Sequence, residues 1–275
     1  MFLFATLAFA ADSTFTGATT SGAVPNPLTT TSAELGGTWI SGNTQSYSIT
    51  ATLRAAHRWD KNQAAAVATA ALGRSAVDTD ADGILSDAEK AAPPVETARR
   101  YGVDARYDRW LGAFDTAYGL AGATADPFAG YDVRAHVQAG WSHSFRPPPT
   151  LALLGELGVD VALEDFVEGV EPQIAWVYAA RVMVKLAHTF NPSVSAELQI
   201  EALDSVVNPL DVRVLGSAAL VAKIDTRLAV RLSTVGTWDN VPVEGYGKWD
   251  QTTTVTLVAT VQRERIRAPR APTPE

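Results

Sequence analysis

The segment DTDADGILSDAE, residues 78–89, has the residue types and the spacing of a calcium-binding loop. Oxygen donors recur at positions 1, 3, 5, 7, 9 and 12, and a glycine at position 6 allows the sharp turn that such loops need. The predicted ligands are Asp78, Asp80, Asp82, the backbone carbonyl of Ile84, Ser86 and Glu89. Because this is a single loop with prolines soon after it, we expect a displayed Ca²⁺ site and not a sensor. A solvated acidic loop is the alternative.

A second set of candidate functional residues is a series of charged side chains, whose sign alternates between three neighbouring segments. The predicted ladder, listed in chain order, is Glu156, Asp160, Arg181, Lys185, Glu197 and Glu201. If the three segments are adjacent strands, these side chains would pair across them. A mixed-sign set predicts salt bridges that fill a lumen first, and a selectivity lining second.

The sequence contains no catalytic motif. The four histidines lie in separate segments, and there is no HExxH motif, GxSxG motif or glycine-rich phosphate loop. His143 and His188 occupy outward-facing positions near predicted strand ends, which leaves an outer-membrane hydrolase as an alternative function. We predict no catalytic residue and no enzymatic activity.

The composition excludes several classes of site and partner. Cysteine is absent, which rules out disulfides, thiolate metal sites and cysteine nucleophiles. The 22 Lys+Arg against 30 Asp+Glu give a net charge of -8, so a broad phosphate-binding surface, and with it nucleic-acid binding, is not expected.

The elements that must position these residues are predicted to be β-strands. In VRAHVQAGWSHSF, residues 133–145, apolar residues occupy one face and polar residues the other. About twelve such segments occur, with short connections alternating with longer, more acidic ones. The predicted fold class is therefore all-β: an antiparallel up-and-down transmembrane β-barrel of about 12 strands, with one calcium-loop insertion.

A soluble exported β-domain that binds a ligand through its loops is the alternative, because the strands of a soluble sandwich also alternate. The polar faces favour the membrane barrel. Their charges complement one another from strand to strand, whereas the other faces carry almost no charge, as a lipid-facing wall requires. Aromatic residues at the predicted periplasmic strand ends are typical of a membrane-interface girdle: Trp59, Trp110, Trp141, Phe145 and Phe190.

The predicted domain organisation has a barrel between two terminal segments. Residues 1–10 resemble a signal peptide and residues 11–30 a flexible leader. Residues 31–262 form the barrel, with an extracellular EF-hand-like insertion at 74–97. Residues 263–275 form a basic, proline-rich periplasmic tail.

Four stretches also resemble a known family. These are LGGTWISGNTQSYSI, RYGVDARYDRWL, DPFAGYDVRAHVQAGWSHSF and KWDQTTTVTLVATV, in order along residues 31–262. They are similar to the salt-induced outer-membrane protein family, domain of unknown function 481, in Gram-negative bacteria. The resemblance implies an outer-membrane β-barrel and supplies no substrate or catalytic residue. The calcium-like insertion and the tail after the last strand depart from the family pattern.

The resulting expectation is a monomeric barrel in the bacterial outer membrane that serves envelope integrity or limited passage of small solutes. Its expected partners are outer-membrane lipid, lipopolysaccharide and the barrel-insertion machinery. Ca²⁺ on the extracellular loop is the one expected cofactor.

Overall fold

The computed structural model describes residues 24–41, 45–80, 85–145, 150–243 and 245–264. Most of these residues belong to twelve strands: β1 (Val24–Ile40), β2 (Ser46–Asp60), β3 (Asn62–Ser75), β4 (Val95–Trp110), β5 (Asp115–Asp126), β6 (Tyr131–Ser144), β7 (Leu151–Phe166), β8 (Ile174–Asn191), β9 (Val194–Ser205), β10 (Val212–Lys223), β11 (Leu228–Asp239) and β12 (Trp249–Glu264). A short helix, α1 (Asp87–Ala91), follows β3, and a 3-10 helix (Pro127–Ala129) follows β5. No helix in the described ranges is long and apolar enough to cross a membrane.

Each strand pairs antiparallel with its neighbours in the chain, and β1 pairs with β12 to close the barrel. The pairing joins Leu28–Gly36 of β1 to Thr256–Glu264 of β12, and over this length it removes the sheet edges that would otherwise be open to association with another chain. The predicted antiparallel up-and-down barrel of about 12 strands is confirmed.

The start of the barrel differs from the prediction. β1 begins at Val24, so residues 24–30, assigned above to the leader, are part of a strand. The Ser/Thr/Gly/Pro-rich composition of residues 12–30 predicts a loop, but threonine suits a strand, and Leu28–Gly36 pairs with both β2 and β12. β5 begins at Asp115 after a turn, in which the N–H groups of Leu111 and Gly112 both donate to the Asp115 carbonyl.

Burial is inverted relative to a soluble protein. The largest fully buried side chains include Glu156, Glu164, Asp108 and Asp160. Large apolar side chains point outward; Leu53, for example, is 61% exposed, against 1% for Glu156. The alternation of the strands therefore places the charged face inside and the oily face outside.

The strand connections differ between the two ends of the barrel. The end at which β2 meets β3 has short connections, which are residue 61 and residues 111–114, 145–150, 192–193 and 224–227. The opposite end carries the longest connection, residues 76–94 between β3 and β4, which includes α1. This asymmetry matches the short periplasmic turns and longer outside loops of outer-membrane barrels.

Candidate functional site

One half of the lumen is filled by a buried charge network centred on Arg181 of β8. Its guanidinium donates to both carboxylate oxygens of Glu201 on β9, each at 3.0 Å, and to Glu156 Oε2 on β7 at 2.8 Å. It also donates to the Tyr118 hydroxyl at 2.8 Å. Arg181 is therefore held from both neighbouring strands and from β5.

Arg106 of β4 extends the same network. Its guanidinium donates to Glu156 Oε1 at 2.7 Å and to Asp108 Oδ1 at 2.9 Å. It stacks over the Tyr118 ring, 4.2 Å from the centroid. Two arginines thus share Glu156, and the network links β4, β7, β8 and β9 across the interior. Such an arrangement compensates for the desolvation of each charge.

A second cluster lies in the lumen toward the end with the long loops. Arg213 of β10 forms an ion pair with Glu164 of β7 and lies 3.2 Å from Asp239 of β11. Arg134 of β6 donates to the same Glu164 at 2.9 Å. Here too one buried glutamate is shared by two arginines from different strands.

The remaining ladder residues have different partners. Lys185 lies 3.7 Å from Glu197, which is also 3.8 Å from Arg231 of β11. Asp160 does not reach β8, because it pairs in register with Ala179 on that strand. Its nearest cation is Arg134 of β6, at 3.5 Å. Neither carboxylate oxygen of Asp160 has a hydrogen-bond partner, although the side chain is fully buried.

The other half of the lumen contains a cavity, which is lined by small hydroxyl and apolar side chains together with Glu34, Arg100 and Arg231. The centre of a water molecule can occupy about 90 Å³ of this cavity, enough for several waters. Six of the lining hydroxyls come from β2, β11 and β12: Thr50, Thr52, Ser233, Thr252, Thr254 and Thr256. Thr69 of β3 and Ser217 of β10 complete the hydroxyl set. No sequence motif marks this lining, although Thr252, Thr254 and Thr256 share one strand face.

The loop between β11 and β12 reaches across the mouth above this lumen. The Tyr246 hydroxyl donates to the Pro127 carbonyl at 3.2 Å. In a ring of twelve strands, the β5–β6 and β11–β12 connections are six strands apart, on opposite walls. The contact therefore bridges the opening at its diameter.

Trp110 corrects the predicted girdle. It was expected on the outer wall but lies inside the barrel, 2% exposed, with the Arg58 guanidinium 4.3 Å from its ring centroid. Trp110 is two residues from Asp108 and four from Arg106, so it lies on the same, inward-facing side of β4. Trp141, Phe145 and Phe190 do lie on the exposed outer wall.

The outer wall carries the two histidines that suggested a hydrolase. His143 Nδ1 lies 2.9 Å from Asp115 Oδ1, and its ring packs against Phe145 at 4.9 Å between centroids. The adjacent Ser142 and Ser144 are buried on the lumen side. Strand alternation thus separates His143 from the serines beside it in sequence, and His188 packs edge-on against Phe190. Both histidines have the surroundings of membrane-interface residues.

The calcium-like segment is described in part; Asp82, Gly83 and Ile84 lie outside the described residues. Asp78, Asp80 and Glu89 each place a carboxylate oxygen within 4.8 Å of the others. Ser86 caps α1, and its N–H and hydroxyl donate to Glu89 Oε2 at 2.9 and 2.8 Å. The N–H and hydroxyl of Thr79 donate to Glu89 Oε1, both at 2.6 Å. These bonds, led by the Thr79 hydroxyl, lower the pKa of Glu89 to about 2.

The barrel is similar to solved outer-membrane proteins. The COG4313 outer membrane channel from Pseudomonas putida F1 is 12% identical, with 88% of this chain and 98% of that chain covered and a TM-score of 0.47. The NanC porin is 10% identical, with 83% and 98% covered and a TM-score of 0.49. A search of curated proteins found no match. The family described as "Protein of unknown function, DUF481" matches residues 33–261, and the chain belongs to it.

Proposed function

We propose that this protein is a bacterial outer-membrane β-barrel that lets small solutes pass along the hydroxyl-lined half of its lumen. The observation that carries the proposal is the inverted burial, with charges inside and a continuous apolar wall outside. Exposed apolar patches on soluble monomers rarely exceed a few hundred Å², so a wall of this kind requires lipid. Outer-membrane lipid and lipopolysaccharide are then its natural surroundings.

The charge networks and the cavity have different roles in the lumen: the networks stabilise the wall, and the cavity provides the passage. The paired arginines and carboxylates brace β4 to β10, where tight ion pairs leave little room for a solute. The cavity beside β1, β2, β11 and β12 offers polar walls that replace the water around a small molecule. An envelope-structural role is the alternative if this half is also closed.

Conductance in planar bilayers tests the passage. Purified protein that keeps its folded gel mobility in detergent until boiled is expected to produce discrete conductance steps. Thr253→Val is the matched control for substitutions of the lining threonines, because Thr253 lies on the same strand as three of them but faces outward. Folded protein that inserts and stays silent would remove the transport role and leave the structural one.

A calcium-binding role for the β3–β4 loop is supported by a separate observation, the convergence of the Asp78, Asp80 and Glu89 carboxylates. With Asp82, Ser86 and the Ile84 carbonyl they would complete the predicted oxygen set. Binding would require Glu89 to exchange its bonds from Thr79 and Ser86 for the ion. We therefore expect weak affinity, about 0.1–1 mM, which suits an extracellular module.

Calorimetric titration of the full-length protein in detergent tests the calcium site. Ca²⁺ is expected to release or absorb heat with a midpoint near millimolar, and Glu89→Gln is expected to abolish the signal. Glu96→Gln is the control, since Glu96 lies in the strand after the loop and pairs with Arg99 at 3.3 Å. Equal heats from the wild type and Glu89→Gln would identify nonspecific binding.

A further inference from the structure

The seam between β1 and β12 is paired over only part of its length. The last paired residues are Gly36 and Thr256, and the same register would continue through residues 37–40 of β1 and 252–255 of β12. In the described chain, however, residues 37–40 pair with β2 alone, and residues 252–255 pair with β11 alone. The two strands therefore separate beyond Gly36, toward the long-loop end.

The separated strands leave two backbone edges that no described strand covers. Four residues span about 13 Å at roughly 3.3 Å per residue, and about half of their N–H and C=O groups point into the gap. Unpaired backbone groups are costly in the hydrocarbon region of a membrane. A gap in the wall of a membrane barrel must therefore admit water, a lipid head group or a solute.

The gap lies at the level of the membrane interface. Trp39, on one edge, is 75% exposed, and Trp249, close to the other edge, is 61% exposed. Exposed tryptophans mark the boundary between lipid and water. The outer wall beside the gap is also polar, since Gln251 and Thr253 both donate to the Thr234 hydroxyl, at 3.2 and 3.1 Å. Water and head groups can therefore reach the gap from outside.

The lumen cavity lies directly behind the gap. Thr252 and Thr254 belong to one edge of the gap and also line the cavity, together with residues of β2, β3, β10 and β11 on either side of the seam. Glu34, Arg100 and Arg231 supply charges of both signs to the same lining. A polar head group in the cavity would lie among polar and charged groups, while an alkyl chain in the gap would reach the apolar outer wall.

We infer that the barrel wall is laterally open between β1 and β12, and that amphipathic molecules with a single alkyl chain move through this opening between the cavity and the outer leaflet. The head group occupies the cavity, and the chain lies between residues 37–40 and 252–255. The centre of a water molecule can occupy about 90 Å³ of the cavity, which is room for a small head group and not for a phospholipid. The inference rests on the proposed place in the outer membrane and adds a lateral route to the proposed passage.

Quenching by brominated lipid tests the opening. Because the chain contains no cysteine, Thr254→Cys, Ser217→Cys and Val255→Cys can each carry a single bimane label. In bilayers of phospholipids with brominated acyl chains, strong quenching is expected at Val255→Cys, which faces outward and is 60% exposed in the native protein. Thr254→Cys faces inward at the gap, where lipid reaches it from one side only, and is expected to show about half of that quenching. Ser217, which lines the cavity on β10, is expected to show none.

Two results of the quenching experiment would overturn the inference. Quenching of Val255→Cys alone would mean that the wall is closed at the seam. Equal quenching at all three positions would mean that lipid enters the lumen by another way.

Photoaffinity labelling tests the amphiphile. Dodecanoate with a diazirine group beside its carboxylate is added to the protein in bilayers, and the labelled residues are identified by mass spectrometry. Labels are expected on the cavity lining, at Ser217 or Ser233, and excess dodecanoate is expected to prevent them. Labels confined to the outer wall would overturn the amphiphile route.

A disulfide across the gap tests whether the amphiphile uses this opening. Thr38→Cys with Thr254→Cys places two thiols at positions that would face each other if the pairing continued. Its oxidised form is expected to lose the labelling of the cavity, and reduction is expected to restore it. Ser32→Cys with Thr260→Cys is the matched control, because these residues are already paired below the gap. Equal labelling of the cavity in the two oxidised proteins would contradict the route.

The outcomes separate this inference from the proposed function. Gly37→Cys with Val255→Cys supplies a second disulfide, next to the last paired residues, if the first does not form. Quenching at Thr254→Cys in a protein that is silent in planar bilayers refutes the passage of small solutes and leaves the lateral opening in place. Conductance steps from a barrel whose seam is closed refute the inference and leave the passage.

Discussion

At the scale of single residues, the lumen depends on a few arginines that each hold two carboxylates. Arg181 contacts Glu156 and Glu201, and Arg106 contacts Glu156 and Asp108. A buried pair contributes little net stability compared with apolar residues, but removing one partner leaves an uncompensated charge. The network is therefore sensitive to single substitutions at its shared members.

Arg181→Met is expected to destabilise the barrel, by about 3–5 kcal/mol, because Glu156 and Glu201 would lose their common partner. Lys185→Met is the matched control on the same strand, since its ion pair with Glu197 is longer, at 3.7 Å. The measurement is the temperature at which folded gel mobility is lost in detergent. A similar shift for both variants would contradict the assignment of Arg181 as the centre of the network.

A second prediction at this scale concerns Asp225, in the turn between β10 and β11. Its carboxylate accepts from the N–H groups of Arg227 and Leu228, at 2.6 and 2.8 Å, and these bonds lower the pKa of Asp225. A lowered folded pKa means that the turn is stabilised above the unfolded value of about 3.9, and that this stabilisation is lost as the pH falls through the folded pKa.

NMR titration of the Arg227 and Leu228 amide protons is expected to show a midpoint below pH 3.9. Asp225→Asn keeps an accepting oxygen and is expected to keep the turn while abolishing the titration. A midpoint at or above the unfolded value would mean that the two backbone bonds are not maintained in solution.

At the scale of elements, the mouth of the barrel is organised by contacts between loops. The turn after β5 receives the Tyr246 hydroxyl at Pro127 and the Val167 N–H at the Gly130 carbonyl, at 3.2 and 3.1 Å. Gly130 has a φ of 91°, a conformation that favours glycine. The β11–β12 and β7–β8 loops thus converge on one turn.

Gly130→Ala is expected to displace the β11–β12 loop from the mouth. A Cβ at this position would lie 3.0 Å from Val243 Cγ1 and 3.1 Å from Tyr246 Cε2, and the positive φ adds about 1–2 kcal/mol. We expect larger conductance steps and faster proteolysis of the β11–β12 loop.

Gly169→Ala is the control for the Gly130 variant. Gly169 has a similar φ of 95°, but nothing lies within 4 Å of a Cβ added there. It therefore carries the backbone strain without the clash. If the two variants show the same conductance and the same proteolysis, backbone strain and not the loss of the loop contact causes the effect.

At the scale of the whole molecule, aromatic side chains mark both ends of the apolar wall. Trp39, Trp176 and Trp249 are exposed near the long-loop end, and Phe145 and Phe190 near the short-turn end. On β2, Tyr47 and Trp59 are twelve residues apart. At about 3.3 Å per residue and a tilt of about 40°, this separation corresponds to roughly 30 Å of height, close to the hydrocarbon thickness of a bilayer.

Peptide tags test the orientation that the unequal connection lengths at the two ends imply. A tag between Glu168 and Gly169, in the β7–β8 loop, is expected to be labelled on intact cells. A tag between Asp225 and Thr226 is expected to be labelled only after the outer membrane is opened. The reverse pattern would mean that the barrel is inserted upside down relative to the rule of short periplasmic turns.

The barrel and its two faces can be predicted from the amino-acid sequence alone. Alternation with a period of two assigns each side chain to one wall, so the inward positions of Glu156 and Arg181 follow from local order alone. The strand count and the alternation of loop lengths follow for the same reason. The prediction of a flexible leader over residues 24–30 is wrong, because composition alone does not reveal pairing partners on both sides.

Which charges form ion pairs, and which part of the lumen contains a cavity, depends on contacts between strands that are distant in sequence. Asp160 pairs with Arg134 because the register between β7 and β8 places Ala179, and not a cation, opposite Asp160. The alternation of polar and apolar residues does not predict this register. Arg106 and Glu156 meet although they are 50 residues apart, and Tyr246 reaches Pro127 over 119 residues. Such contacts depend on ring closure, which brings opposite walls together. The hydroxyl-lined cavity exists for the same reason, since five strands contribute hydroxyls to it and none forms it alone.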